Sequence, residues 1–385
     1  MLEQGPHRRK PSGVGCSSSP GSDMEMGGKE EAMSEEEAGE LAQRLALGSV
    51  LPMALKTVVE LGVLELMAGH ELTPEELTAQ LPTNNPDAPA MLDRILRLLA
   101  SRSLLTCTST TDVDGKVQRR YGLAPACKLL VPNRDGASLS HLLLLSQCKA
   151  FMESWYHLKD AVLEANGVPF NRAHGMGFYD HLPQDPCLNE LFNSAMQNHS
   201  TVVTKKILEV YDGFHGIRSV VDVGGGTGAN LSLITGKYPG IKAVNFDLPH
   251  VVQKAPEFPG VEHVGGDMFS SVPAGDAIFM KTILLNWGDD RCLKLLGNCW
   301  KALPENGKVI VVEMIVPEIV ENSSASSSVF QLDLLMLTVL GGKLRTEKEL
   351  EVLARAAGFT GIKSICSALD FWVIEFYKGS TTAGE

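Results

Sequence analysis

The stretch SVVDVGGGTGANLSLI, residues 219–234, restricts the fold more than any other part of the chain. It reads as a buried strand, a glycine turn and a helix. The glycines adopt backbone conformations closed to other residues and let a ligand come close to the main chain. Short apolar runs recur at 219–223, 243–246, 277–281, 308–312 and 371–376, most of them separated by helix-length segments. That alternation predicts an α/β fold with a parallel, doubly wound, Rossmann-like sheet. A glycine turn alone is a weak signal, because nicotinamide and flavin enzymes use similar ones and a tight loop needs no ligand. The residues around it narrow the choice. Asp222 precedes the turn, and NFDLPH puts Asp247 at the end of the next strand, about 20 residues on, where an acid grips a ribose diol. VGGDMF then places Asp267 and Met268 at another strand end, beside an adenine, and Lys281 closes a fourth. Acids at successive strand ends fit a ligand with ribose, adenine and a cationic centre. S-adenosyl-L-methionine has all three and no pyrophosphate.

Composition removes other classes. The 385 residues are 44% hydrophobic, enough for one large domain or two. A net charge of −12 argues against a nucleic-acid partner. No apolar run approaches the roughly 18 residues of a membrane span. The eight cysteines are scattered without a CxxC pair, so neither a metal site nor a disulfide framework is expected, and a reducing, cytoplasmic setting is.

Residues 1–38 are rich in Gly, Ser and Pro and then acidic, and are expected to be a disordered tail. They do not form a secretory signal. A targeting tail and an upstream start preceding Met24, Met26 or Met33 both stay open. From 40 to about 68 the pattern is helical and apolar nearly all round, which predicts a buried helix. Thr73 and Pro74 open a short helix, a longer one comes next, and the alternation around Asp114–Gly115 predicts a hairpin. Helix, helix and hairpin are the order of a winged-helix-like module. Without a basic recognition helix its expected role is dimerisation. The domains are therefore set at 39–138 for dimerisation and 139–385 for the catalytic unit, with a helical pocket segment over 139–212.

Beyond these features, the chain resembles the plant caffeic acid O-methyltransferases of specialised metabolism. The segments LVPNRDGASL, MESWYHLKDAV, PFNRAHGM, VDVGGGTGA, NFDLPHVV, PGVEHVGGDMF and NCWKALPENGKVIVVE carry the resemblance, which spans about residues 40–378. It implies a class I methyltransferase fold, an N-terminal helical dimerisation domain, S-adenosylmethionine as cofactor, a small aromatic substrate and a homodimer. It places Gly224, Asp247, Asp267, Met268 and Lys281 at the cofactor, each of the expected residue type.

The implied catalytic set departs from the family. The family pattern runs Lys, Trp, two variable residues, His, Asp, Trp. Here Lys281 is followed by Thr282, Ile283, Leu284, Leu285, Asn286 and Trp287, so the base falls on Leu285 and its acidic neighbour on Asn286. Of two glutamates that orient the base, Glu313 remains and the other falls on Leu344. A Met-Asn pair of the pocket aligns with Leu145 and Ser146, whereas Phe192, Met196 and His199 are kept, and Met336 is read as pocket wall. His199 stands equally as a substrate contact and as a satisfied core histidine. Asp289 and Asp290 read as the first turn of a helix.

A phenol of pKa near 10 is about one-thousandth ionised at pH 7, and a positioned base contributes roughly 10²–10⁴ in rate. This leaves three readings. The first is N-methylation of a small aromatic or indolic amine, which attacks through a free lone pair in a base-free apolar pocket, with Glu313 as the candidate catalytic group and Asp289 as a less favoured one. The second is a regulatory homologue that binds cofactor and dimerises. The third is methylation of an already ionised carboxylate or acidic phenol, which needs no base, or residual methylation of an ordinary phenol. An anion ranks last because Glu313 would repel it.

Overall fold

The computed structural model describes residues 33–165 and 167–379. The expected tail up to residue 32 lies outside them. Helix α1 (Glu35–Ala46) begins inside the stretch assigned to that tail, a correction with a local cause. Ser34 Oγ accepts the Glu37 amide while the Glu37 carboxylate accepts the Ser34 amide, a capping box hidden in an acidic run. Helix α1 buries no residue and belongs to a unit ending at Gly48. The second compact unit begins at Ser49 and holds all the remaining elements.

The apolar run expected as one helix is broken. It continues as α2 (Val50–Glu60) and α3 (Val63–Leu66), interrupted at Gly62, whose φ of 67° ends the helical path. Helix α4 (Pro74–Thr78) starts at Thr73, again through a capping box, with Glu76. Helix α5 (Ala88–Ser101) points Leu92, Leu96 and Leu99 into a core shared with Val58, Val63 and Leu64. Strands β1 (Leu105–Thr111) and β2 (Val117–Leu123) form the expected hairpin, its turn tied by the Asp112 carboxylate to the amides of Asp114 and Lys116.

The next segment is helical: α6 (Pro125–Lys128), α7 (Ser140–Ser146), α8 (Lys149–Trp155), α9 (Leu158–Leu163), α10 (Pro169–His174), α11 (Phe178–His181) and the long α12 (Pro186–Val210). Strands and helices then alternate: β3 (Ser219–Val223), α13 (Ala229–Lys237), β4 (Lys242–Asp247), α14 (Pro249–Val252), β5 (Val261–Gly265), β6 (Ala277–Lys281), α15 (Asp289–Ala302), β7 (Lys308–Glu313), α16 (Ser324–Leu340), α17 (Glu347–Ala356), β8 (Gly361–Ala368) and β9 (Phe371–Tyr377).

These strands build one seven-stranded sheet in the order β5-β4-β3-β6-β7-β9-β8. The first five are parallel, and β3, β4, β6 and β7, inside the sheet, read as continuous apolar runs, whereas β5 at the edge does not. The sheet is not parallel throughout, as the sequence had suggested. Strand β9 pairs antiparallel with β7, and β8 antiparallel with β9. Strand β8 was missed because its burial alternates along a half-exposed edge. Pleating sends Val221 and Val223 toward α15 and α17, while Val220 packs with residues of α12 and α13. The chain order reverses on either side of β3, so the carboxyl ends of β3, β4 and β6 flank the crevice where open α/β sheets bind ligands. Among the described residues, no helix is long and apolar enough to cross a membrane, and no group of three His, Cys, Asp or Glu could hold a metal.

Candidate active site

The glycine turn joins β3 to α13 at the centre of that crevice. Gly224 has φ 72°, and a Cβ there would lie 2.4 Å from Ile283 Cδ1. At Gly225 a Cβ would meet Asn245 Oδ1 at 2.1 Å and Asp222 at 2.8 Å, so no other residue fits. Asp247, ending β4, accepts the Gly226 amide at 2.8 Å and the Leu248 amide at 2.7 Å, which aims its carboxylate across the turn. Burial raises its pKa. Asp267, just past β5, is exposed and takes the Phe269 amide and the Ser270 hydroxyl. The amide bond holds its carboxyl below the ordinary range. Met268 comes next, half-buried against the core.

Behind the turn lies a buried polar column. Thr204 of α12 donates to Asn230 Oδ1 at 2.8 Å, and Asn230 donates to Asp222 Oδ2 at 3.2 Å. Burial pushes the Asp222 carboxyl up to about 7. Lys281, 5% exposed at the end of β6, sits with Nζ 3.3 Å from His199 Nδ1. Burial pulls the lysine down to about 8 against the charges of Asp222 and Glu313. Burial, and then the lysine, hold His199 well below its usual value. His199 is thus neither a free base nor a lone core histidine. Its ring also packs edge-on against Phe371, centroids 5.2 Å apart.

A turn with no room for side chains, flanked by acids at the ends of β3, β4 and β5, fits a ligand that brings hydroxyls and positive charge. S-adenosylmethionine is such a ligand.

The second half of the site is the turn after β6. Thr282 has φ 56°, a strained value for a β-branched residue. Glu313 Oε1, at the end of β7, accepts the amides of Ile283, Leu284 and Leu285 at 3.1, 2.6 and 3.2 Å. Glu313 is 1% exposed, and burial pushes its carboxyl up to about 7 against the pull of those amides and of Arg345. Arg345, equally buried, holds the same turn from its other end. It donates to the carbonyls of Leu284 and Trp287, and to Asp289 through Nε and Nη2 at 3.0 and 2.7 Å. Asp289 is thereby committed and kept below its ordinary range. The Asn286 amide donates to Thr282 O. A Cβ on Gly342 would lie 2.2 Å from Leu285 O, so the double glycine is there for close approach.

The side chains that face inward are apolar. Leu285 packs with Val329, Leu344 and Met336, and Leu145, Phe192 and Met196 join a second cluster with Phe170 and Phe178. Helix α16 links the two, offering Leu332 and Met336 to one and Leu335 and Val339 to the other. Arg345 and Tyr179 were missed by sequence reasoning. Tyr179 stacks on Trp287 at 5.8 Å, and the Arg291 guanidinium lies 4.8 Å over the Trp287 ring. His174 is structural, bonding Ala150 O at 2.9 Å.

Two family models match the chain. An O-methyltransferase domain covers residues 155–360, and an O-methyltransferase dimerisation domain covers residues 43–133. The chain is 56% identical to a caffeic acid 3-O-methyltransferase of Catharanthus roseus, over 89% of this chain and 96% of that one. It is 57% identical to caffeic acid 3-O-methyltransferase 1 of Populus kitakamiensis, over 90% and 96%. Among solved structures it is similar to a methyltransferase of calicheamicin biosynthesis in its SAH-bound form, with TM-score 0.76 and 26% identity over 90% of this chain and 99% of that one. Human N-acetylserotonin methyltransferase in complex with SAM shares the fold, with TM-score 0.76 and 23% identity over 91% of this chain and all of that one.

Proposed function

The chain belongs to the O-methyltransferase family of the plant caffeic acid type and is an S-adenosylmethionine-dependent methyltransferase; on that premise we propose that it methylates an oxygen of a small aromatic acceptor. The observation carrying this reading is the 56% identity that extends over 96% of a caffeic acid 3-O-methyltransferase. The amine acceptor, placed first from the sequence, finds no support among these relatives, so oxygen moves ahead of it.

In this reading Gly224, Asp247, Asp267, Met268 and Lys281 hold the cofactor. Leu145, Phe192, Met196, His199, Leu285, Asn286 and Met336 line the acceptor space. We take Leu285 to stand where the family has its base. Glu313 then acts as a positioning residue, because its Oε1 is occupied by three backbone amides. Helices α2–α5 and the hairpin form a winged-helix-like module that pairs two copies, and the protein works in the cytoplasm.

A second reading is a homologue that binds cofactor without turning over. It is favoured by the buried, apolar Leu284 and Leu285 in the turn. One experiment separates the readings: incubation with methyl-labelled S-adenosylmethionine and a panel of hydroxycinnamates, aromatic acids, and aryl and indolic amines. Label on oxygen is expected. Label on amines alone would overturn the proposal, and cofactor binding by calorimetry without any product would favour the second reading.

A further inference from the structure

Resting on the oxygen reading, we propose that the site takes an oxygen that arrives already ionised, a carboxylate or an acidic phenol, held by the Nε2–H of His199 with the Lys281 ammonium behind it.

The tautomer is set by the contact. A lysine ammonium has only donors, so at 3.3 Å His199 Nδ1 must accept, and a neutral imidazole then carries its hydrogen on Nε2. His199 lies on the α12 face of Phe192 and Met196, at spacings of three and four residues. It therefore adds a donor to an otherwise apolar wall. It cannot take a proton from a substrate at Nε2.

Among the described residues of the turn itself, none is placed to take one. Ile283, Leu284 and Leu285 are apolar, the Asn286 amide is spent on Thr282 O, and Asp289 is held by Arg345. The charged groups acting on the pair are Asp222 on β3 and Glu313 on β7, which oppose the burial that brings Lys281 down to about 8 and so leave it mostly cationic at pH 7. The repulsion that ranked an anion last from the sequence is removed by geometry. Glu313 is wrapped by the turn's own amides and faces the Arg345 charge, and Asp222 is engaged by Asn230. A donor backed by a cation, with no proton acceptor beside it, suits an anionic oxygen.

The step balances without a base. The acceptor oxygen attacks the methyl carbon, the C–O bond forms, and the C–S bond breaks with its electron pair remaining on sulfur. The negative charge of the acceptor and the positive charge of the sulfonium cancel, and no proton moves. The apolar wall of Leu285, Val329 and Leu344 strengthens the attraction between charges that the step consumes.

The test uses the full chain at pH 7 with labelled S-adenosylmethionine and phenols of similar size but graded acidity, with a benzoate as a separate arm. A phenol of pKa near 7 is about half ionised where one near 10 is about 0.1% ionised, a ratio of about 500; the weaker nucleophilicity of the more acidic phenolate reduces this, so kcat/KM should be roughly 100-fold higher for the acidic phenol. His199→Leu should lower that value about 10- to 100-fold, the range lost with a hydrogen bond to a charged group. His199→Gln, which keeps an N–H, should recover most of it, with cofactor Kd by calorimetry as the control. Equal rates for acidic and ordinary phenols, or equal loss in the Leu and Gln variants, would overturn this inference and leave oxygen methylation standing. Label on amines alone would remove both. If His199→Leu does not fold, the wild-type acidity series still decides. Transfer to benzoate with none to acidic phenol identifies the carboxylate as the source of the anion.

Discussion

The cofactor side and the acceptor side of the crevice share one sheet and are built in opposite ways. On the cofactor side, Asp247 at the end of β4 and Asp267 just past β5 bond main-chain amides, while Asp222 of β3 is buried behind the turn on the Asn230 side chain. On the acceptor side the charged groups turn inward. Glu313 and Arg345 grip the backbone of residues 283–287 from its amide and carbonyl ends, and the Leu285 side chain packs into an apolar cluster. One half uses charge to bind, and the other uses it to hold a wall in place. The hold on the wall is made through backbone amides and carbonyls, so it does not depend on which side chain stands at Leu285.

Several changes can break or sharpen that contrast. The largest effect is expected from Glu313→Leu, which orphans three buried amides at about 1–3 kcal/mol each. Thermal denaturation should show a loss of at least about 3 kcal/mol, whereas Glu313→Gln, with an oxygen in place, should lose much less. A catalytic Glu313 would instead lose rate in both variants with little loss of stability. Asp247→Ala comes next, raising the S-adenosylmethionine Kd roughly 100-fold, about 2.7 kcal/mol, in calorimetry.

The pH dependence of stability sharpens the same point. The Glu313 carboxyl is raised from an ordinary value near 4.3 to about 7. Its contribution is therefore present below the unfolded pKa and lost as pH rises through about 7. Between pH 5 and 7.5 wild-type Tm should fall more steeply than that of Glu313→Gln. Leu285→His should raise turnover of ordinary phenols about tenfold, below the usual 10²–10⁴ for a positioned base, because Leu344 offers it no carboxylate. The smallest effect lies outside the crevice: Thr73→Ala removes the α4 cap and should cost about 1 kcal/mol in a denaturant titration, with kcat/KM unchanged.

The cofactor half was legible in the sequence because parallel buried strands appear as unbroken apolar runs and the glycine turn has few chemical alternatives. Asp247, Asp267 and Lys281 stand at strand ends, as read. The acceptor half was legible only as residue types. That Leu285 faces an apolar cluster is set by its neighbours, but the Arg345–Asp289 pair joins residues 56 apart, and no periodicity signals it. The Lys281–His199 contact, spanning 82 residues, is equally silent. Strand β8 and the start of α1 were missed for milder reasons, a half-exposed edge and a cap buried in acidic sequence.

The claim that the acceptor wall supplies no base is met most directly by the pH dependence of kcat/KM for one phenol of ordinary acidity, pKa near 10. Without an enzyme base the rate should climb about tenfold per pH unit from 6 to 8, following the phenolate alone. A plateau setting in between pH 6 and 7 would report a protein group that removes the proton and would contradict the account.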